Sequence, residues 1–201
     1  MEVRVKLILF FNGWGVPRET FKFLTWDDFE VKIIDLEEKI DFEDLKKYNE
    51  INVIAWSFGV YNASKQLGNL KDISLNKVIA INGSTKAIHR RYGISPTIFN
   101  RTLEKLDVNT YLEFMKNTGL DTLEVKDQEI IKKYRDILAE FGENYQEISS
   151  IFKYSLISTK DRIFPSRSLI NYYKGTEYKL IDEEHYPFDR WNRWGEILDE
   201  F

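Results

Sequence analysis

Short apolar runs recur along this chain, and polar segments with helical spacing separate them. The first run alternates at Val3, Val5 and Leu7 and then continues unbroken to Phe11, which is typical of a strand buried on both faces of a parallel sheet. Similar runs rich in β-branched and aromatic residues follow. Together they predict six strands, at residues 3–11, 31–36, 51–56, 78–81, 153–158 and 177–181.

Helical patterns lie between most of these strands, at residues 42–48, 61–70 and 165–173. Strands that alternate with helices indicate βαβ crossovers, and such crossovers place neighbouring strands parallel to one another. The sequence therefore predicts an α/β fold with a mostly parallel sheet of about six strands.

The alternation stops between residues 81 and 153, where helical patterns occur without a convincing strand. An apolar stripe predicts one helix at 126–141. A second is predicted at 111–117, before Gly119, and a third begins at Pro96 with Ser95 as its N-cap. We interpret residues 84–150, approximately, as a helical insertion in one α/β domain that spans 1–201. At the carboxyl edge of a parallel sheet such an insertion is expected to be a lid or a cleft wall; extra packing helices without a gating role are the alternative.

Composition narrows the class of protein. The 201 residues suit one domain, and 43% hydrophobic with 31% charged residues suit a soluble globular protein. Cysteine is absent, which excludes disulfides, thiolate zinc sites and a cysteine nucleophile. The amino terminus enters a strand pattern directly, so we expect a cytoplasmic protein without a signal peptide or membrane segment. A net charge of −4 argues against a duplex nucleic-acid binder.

The sharpest local motif is Ala55-Trp56-Ser57-Phe58-Gly59, which follows an apolar strand and opens a helix. This is the strand–turn–helix context of the nucleophile elbow in α/β-hydrolases, where the serine sits on a strained turn. The residues two before and two after the serine must be small, and Ala55 and Gly59 meet that demand. The alternative is a serine that caps an ordinary helix.

A serine nucleophile needs a base, and histidine is the usual one. The chain has two histidines, His89 in the insertion and His185 after the last predicted strand. Because the triad order in this fold is Ser, acid, His, we predict His185 as the base and Asp161, just after strand 153–158, as the acid that orients it. A surface histidine in an acidic loop and a turn-forming aspartate are the alternatives.

Hydrolysis of an acyl group also needs N–H donors for the oxyanion. We predict one at Phe58, after the serine, and the other at Trp14, in the glycine-containing turn Asn12-Gly13-Trp14-Gly15 that follows the first strand. The side chain of Trp14 is expected to form a wall of the acyl pocket. A dinucleotide-binding turn is a weaker interpretation, because its fingerprint needs three spaced glycines and this turn has two.

These segments, with Ile81-Asn82-Gly83-Ser84 at the start of the insertion, resemble BioG-type pimeloyl-[acyl-carrier protein] methyl ester esterases over nearly the whole chain. The resemblance implies hydrolysis of the methyl ester of pimeloyl-acyl carrier protein in biotin precursor synthesis, with release of methanol and with no metal or cofactor. Many α/β-hydrolases have a histidine at the position of Asn12. The difference lies in the same turn as Trp14, the predicted second oxyanion donor.

The start of the insertion is basic. Between residues 84 and 105 one acidic residue, Glu104, stands against five basic ones: Lys86, Arg90, Arg91, Arg101 and Lys105. Acyl carrier proteins are acidic, and complementary charge speeds and orients docking. We therefore predict a carrier-protein docking surface at Lys86, Arg90, Arg91 and Arg101. An ordinary solvated face and an RNA-binding patch are the alternatives.

The sequence thus predicts a serine esterase that forms an acyl-enzyme on Ser57. Within enzymes, the alternative is a carboxylesterase or thioesterase for a free small acyl substrate, which has no need of the basic segment. From another class, the alternative is an inactive hydrolase fold kept as a binding module, which the presence of Ser57, Asp161 and His185 disfavours.

Overall fold

The computed structural model describes residues 5–70, 73–121 and 127–201. Its strands are β1 to β6 in chain order: Lys6–Phe11, Phe29–Ile34, Glu50–Trp56, Val78–Ile81, Tyr154–Ser158 and Glu177–Ile181. Its helices are α1 to α7: Phe42–Leu45, Gly59–Leu67, Pro96–Lys105, Val108–Thr118, Gln128–Glu143, Ser166–Tyr172 and Trp194–Leu198. Within these residues, no helix has the length and apolar character needed to cross a membrane.

All described strands belong to one parallel sheet with the order β2-β1-β3-β4-β5-β6. The inner strands are buried almost throughout, as their continuous apolar runs predict. At the edges, β2 is half-buried along its length and β6 is exposed at four of its five residues. The predicted α/β fold is confirmed.

The strand order places a crevice between β1 and β3. The chain passes outward from β1 to β2 and then returns to the other side of β1 to form β3. Phe11 pairs with Ala55, so these two strands end at the same edge of the sheet. In open α/β sheets this switch point, outside the carboxyl ends of the strands, is where ligands bind.

Several predicted boundaries are wrong by a few residues. The strand predicted at 31–36 lies at Phe29–Ile34, and the helix predicted at 42–48 is the single turn Phe42–Leu45. The helix predicted at 61–70 begins earlier, directly after the elbow, at Gly59. The last predicted α–β pair, helix 165–173 and strand 177–181, matches Ser166–Tyr172 and Glu177–Ile181 closely.

Three helices, α3 to α5, lie between β4 and β5 in the predicted insertion. Helix α3 begins at Pro96 as predicted, although Ser95 makes no side-chain capping bond. Helix α4 starts three residues before the predicted 111–117, because Asp107 and Thr110 form a capping box, and it ends at Gly119 in a left-handed conformation. The first residue of the helix predicted at 126–141 lies outside the described residues, and α5 occupies Gln128–Glu143.

Candidate active site

Ser57 lies at the carboxyl end of β3, in the turn into α2. Its φ of 58° is in the left-handed region, a strained conformation for a residue with a side chain. The turn needs glycine at 59, since a Cβ there would lie 2.1 Å from the Phe11 carbonyl oxygen. Gly83 meets a similar limit, because its Cβ would lie 2.2 Å from the carbonyl oxygen of Ser57. Backbone from three strand ends therefore encloses this serine.

His185 and Asp161 come from the loops after β6 and β5. Ser57 Oγ lies 3.0 Å from His185 Nε2, and His185 Nδ1 lies 2.7 Å from Asp161 Oδ2. All three residues are buried, with His185 only 1% exposed. The structure thus joins the three predicted side chains into one hydrogen-bonded chain from residues far apart in sequence.

Asp161 has two sets of partners. Its Oδ1 accepts the backbone N–H groups of Ile163 and Phe164, at 2.7 and 2.8 Å, which fixes the turn before α6. Its Oδ2 is left to accept from His185 Nδ1. The turn-forming role that the sequence suggested as an alternative is therefore present in the same side chain, and it orients the carboxylate towards the imidazole.

The glycine loop, which we define as residues 12–16, follows β1 beside Ser57. A Cβ on Gly13 would lie 3.1 Å from the Cβ of Ser57, so glycine permits the close approach. Trp14 and Phe58 both line a small cavity of about 10 Å³ with Ser57 and His185. Among the described residues, no acceptor takes the backbone N–H of Trp14 or Phe58.

An open groove of about 610 Å³ leads away from this cavity. The small cavity and the groove share Trp14, Phe58, Ile94, Phe114 and Ile163. Helices α3 and α4 add most of the remaining wall, and Ile98 on α3 is 60% exposed at the groove. Trp14, predicted to form a wall of the acyl pocket, thus lines both the cavity and the groove, and helices of the predicted insertion form one side of the groove.

The predicted basic residues do not all lie together. Arg90 and Arg101 line the groove, and Lys105 and Arg162 line it with them. Lys86 instead forms a 3.3 Å ion pair with Glu147. Lys86 and Arg91 also both lie over the ring of Tyr92, at 5.3 Å from its centroid. The cations at the groove are therefore Arg90 and Arg101 from the predicted set, joined by Lys105 and Arg162.

His89, the other histidine, has a local role. Its Nδ1 accepts the backbone N–H groups of Arg91 and Tyr92, at 3.0 and 3.2 Å, and its ring stacks on that of Tyr92. It thus stabilises a turn at the start of the insertion. Across the described residues, no group of three or more His, Asp or Glu side chains is arranged to hold a metal ion.

Two residues that position His185 were missed by the sequence analysis. The carbonyl oxygen of His185 accepts from Trp56 Nε1 at 2.7 Å and from Asn82 Nδ2 at 2.9 Å. In the sequence, Asn82 belongs to the motif 81–84 and Trp56 precedes the serine, but neither position predicts a contact with His185. Their contacts connect segments about a hundred residues apart, and no local pattern marks such a pair.

Comparison with solved structures defines the class of protein. An esterase from Exiguobacterium antarcticum shares the fold, with a TM-score of 0.64, 12% identity, and coverage of 98% of this chain and 91% of that one. BioG from Haemophilus influenzae superimposes with a TM-score of 0.81 at 25% identity, over 97% of this chain and 95% of that one. These likenesses show that the protein has the α/β-hydrolase fold.

The family is shown by sequence. The model of the family described as pimeloyl-ACP methyl esterase BioG matches residues 2–197, and the chain belongs to that family. A malonyl-[acyl-carrier protein] O-methyltransferase of Bacteroides fragilis is 30% identical over 83% of this chain. The match spans 36% of that relative's length.

Proposed function

We propose that this protein hydrolyses the methyl ester of pimeloyl-acyl carrier protein through an acyl-enzyme on Ser57. The observation that carries the proposal is the hydrogen-bonded chain from Ser57 through His185 to Asp161, buried at the inner end of an apolar groove whose residues include cations. Membership of the BioG family supports the same substrate.

In the acylation step, His185 Nε2 accepts the proton of Ser57 Oγ while that oxygen attacks the ester carbonyl. Asp161 Oδ2 accepts the N–H of Nδ1 and so keeps Nε2 free as the base. The backbone N–H groups of Phe58 and Trp14 stabilise the oxyanion. Protonated His185 then gives its proton to the departing methoxide, which leaves as methanol.

Deacylation repeats the sequence with water. His185 takes a proton from a water molecule, which attacks the acyl carbon of the ester on Ser57. The second tetrahedral intermediate collapses when Ser57 Oγ leaves and takes its proton back from His185. The product is a free carboxylate at the far end of an acyl chain still attached to its carrier.

The groove favours a carrier-bound substrate over a free one. Its inner wall is apolar, at Phe58, Phe99, Phe114 and Leu138, which suits an acyl chain. Arg90 and Arg101 are exposed there and form no salt bridge with any described residue. An acidic carrier protein would supply the missing negative charge. A free small ester would leave these cations unused.

The decisive experiment compares the parent protein with Ser57→Ala and Ser64→Ala on the carrier-bound methyl ester. Ser64 is a matched control, because it is also buried and its hydroxyl has no hydrogen-bond partner among the described side chains. We expect Ser57→Ala to lower kcat by roughly four to six orders of magnitude and to abolish labelling by a fluorophosphonate. Ser64→Ala should retain both the turnover of the ester and the labelling by the fluorophosphonate.

Two outcomes would overturn the proposal in different ways. Near-normal turnover by Ser57→Ala would remove the serine mechanism. Equal or better kcat/KM on free aryl esters or thioesters than on the carrier-bound ester would leave the mechanism intact and favour the free-substrate carboxylesterase or thioesterase.

A further inference from the structure

The glycine loop is bound to the helical insertion at two places. Tyr111 on α4 donates its hydroxyl to the carbonyl oxygen of Gly15 at 2.5 Å. The indole Nε1 of Trp14 donates to the carbonyl oxygen of Tyr134 on α5 at 2.8 Å. Two helices of the insertion therefore each hold one residue of the loop that carries the Trp14 N–H.

The Tyr111 contact is buried and closely packed. The side chain is fully buried, its ring stacks on Tyr134 at 5.3 Å, and a Cβ on Gly15 would lie 3.2 Å from its Cε2 atom. Burial raises the pKa of the Tyr111 hydroxyl far above its ordinary value, so the hydroxyl remains a hydrogen-bond donor over the working pH range. Gly15 itself has a φ of +75°, which glycine adopts without strain.

The other side of the loop is held by the sheet. Asn12 Nδ2 donates to the carbonyl oxygen of Val16 at 2.7 Å and to Asp35 Oδ1, beyond β2, at 2.9 Å. The peptide N–H of Trp14 thus lies between an anchor on the sheet and an anchor on the insertion. Neither anchor alone fixes both ends of the loop.

We propose that the helical insertion is a working part of the oxyanion hole, with Tyr111 as a positioning residue that sets the glycine loop, and with it the Trp14 N–H, at the developing oxyanion. The inference rests on the proposed serine mechanism. Oxyanion stabilisation requires donors at about 2.7–3.1 Å from the charged oxygen, so a small displacement of the loop weakens it. An outward movement of α4 and α5 would break both bonds and disable the site.

The test is Tyr111→Phe, which removes one hydroxyl and keeps the ring. We expect kcat to fall roughly 10- to 100-fold for the carrier-bound ester and for a small aryl ester alike, with KM changed by less than about twofold. A boronic acid forms a tetrahedral adduct on the serine, and its Kd should rise by the same factor as kcat/KM falls.

The matched control is Tyr145→Phe. Tyr145 also lies in the insertion and its hydroxyl also meets a backbone carbonyl, that of Thr85 at 3.5 Å, but it has no hydrogen bond to the glycine loop. This variant should keep the kcat and the boronic-acid Kd of the parent. Assays run at least about 15 °C below the Tm of each variant separate a positioning effect from simple loss of stability.

If Tyr111→Phe does not fold, Trp14→Phe removes the bond to α5 instead, and the same results are expected. Unchanged kcat and boronic-acid affinity in whichever variant folds, at normal Tm or lowered Tm, would overturn the inference. If Ser57→Ala is inactive in the same assays, that result would refute the role of Tyr111 but not the serine mechanism. If Ser57→Ala is active, the serine mechanism itself is refuted.

Discussion

The side chain of Asn82 makes hydrogen bonds to two segments near the proposed active site. The residue adopts a left-handed φ of 47° directly after β4. Its Oδ1 accepts the N–H of Ser158, and its Nδ2 donates to Ser158 Oγ and to the carbonyl oxygen of His185. The amide therefore connects the ends of β4 and β5 to the loop that carries the proposed base.

Asn82→Asp should disturb this connection with almost no change in size. The introduced carboxylate would face carbonyl oxygens to which it cannot donate, so burial and repulsion should raise its pKa in the folded state. The folded variant would then bind more protons than the unfolded chain. Its stability deficit should be small below about pH 4 and grow towards pH 7, to roughly 2–5 kcal/mol.

Thermal unfolding of the variant and the parent at each pH measures this difference. Asn171→Asp, the same change at an exposed position on α6, is the control and should show no pH-dependent deficit. A deficit that is constant from pH 4 to pH 7 would contradict the assigned contacts of Asn82.

Site residues that follow a local sequence motif can be predicted from the sequence, whereas residues that act through long-range contacts cannot. Ser57, Asp161 and His185 could be predicted, because each follows a recognisable strand and their order is characteristic of the fold. Tyr111, Trp56 and Asn82 could not, since each acts through a backbone carbonyl brought close by folding. The basic residues were only partly predicted, because local charge counts do not say which side chains turn towards the groove.

At the scale of elements, short apolar runs were sufficient to find every described strand. The exact boundaries were harder to predict, and two helices illustrate this. Helix α1 stops after one turn, and the start of α4 depends on the polar capping box of Asp107 and Thr110. The predicted start at Tyr111 was too late because it omitted Val108, which lies on the same apolar stripe and packs against the core.

Helix α2 can start where it does only because Gly59 packs against the end of β1. Gly59→Ala would force a methyl group within 2.1 Å of the Phe11 carbonyl oxygen and 2.7 Å of that of Asn12. Because both are backbone atoms, the elbow must move, and we expect a loss of about 3 kcal/mol or more of unfolding free energy.

Denaturant unfolding checks this value, with Gly175→Ala as the control. Gly175 has a positive φ, of 95°, unlike Gly59, and open space surrounds its Cβ position. That variant should lose only about 1–2 kcal/mol, the ordinary cost of a left-handed residue with a side chain. Equal losses in the two variants would mean that the packing of α2 on β1 is not the limiting contact.

At the scale of the whole molecule, charge is unevenly distributed. The chain has a net charge of −4, yet cations gather at the groove. Reversing Arg90 and Arg101 to glutamate should lower kcat/KM for the carrier-bound ester by roughly 10-fold or more, because complementary charge governs encounter. Turnover of a small neutral aryl ester should remain nearly unchanged.

The matched control reverses Lys153 and Lys174, two exposed lysines outside the groove, and changes the net charge equally. It should have little effect on either substrate. Raising salt should weaken turnover of the carrier-bound ester by the parent protein, since exposed charges are screened over about 10 Å at 0.1 M. Equal responses of both substrates to the Arg90 and Arg101 reversal would remove these residues from the docking surface.

The exposed edge of the sheet also has a consequence for how copies of the chain behave together. Strand β6 ends the sheet, and its Tyr178 and Leu180 are 37% and 52% exposed. An edge of this kind offers unpaired backbone groups on which another chain can add a strand. Lys179 points to the opposite face of the strand, where its ammonium donates to the carbonyl oxygen of Glu200 and lies over the ring of Phe201, so its charge does not lie on the face that Tyr178 and Leu180 share. Aggregation during expression or at high concentration is therefore expected to begin at β6 sooner than at the half-buried β2.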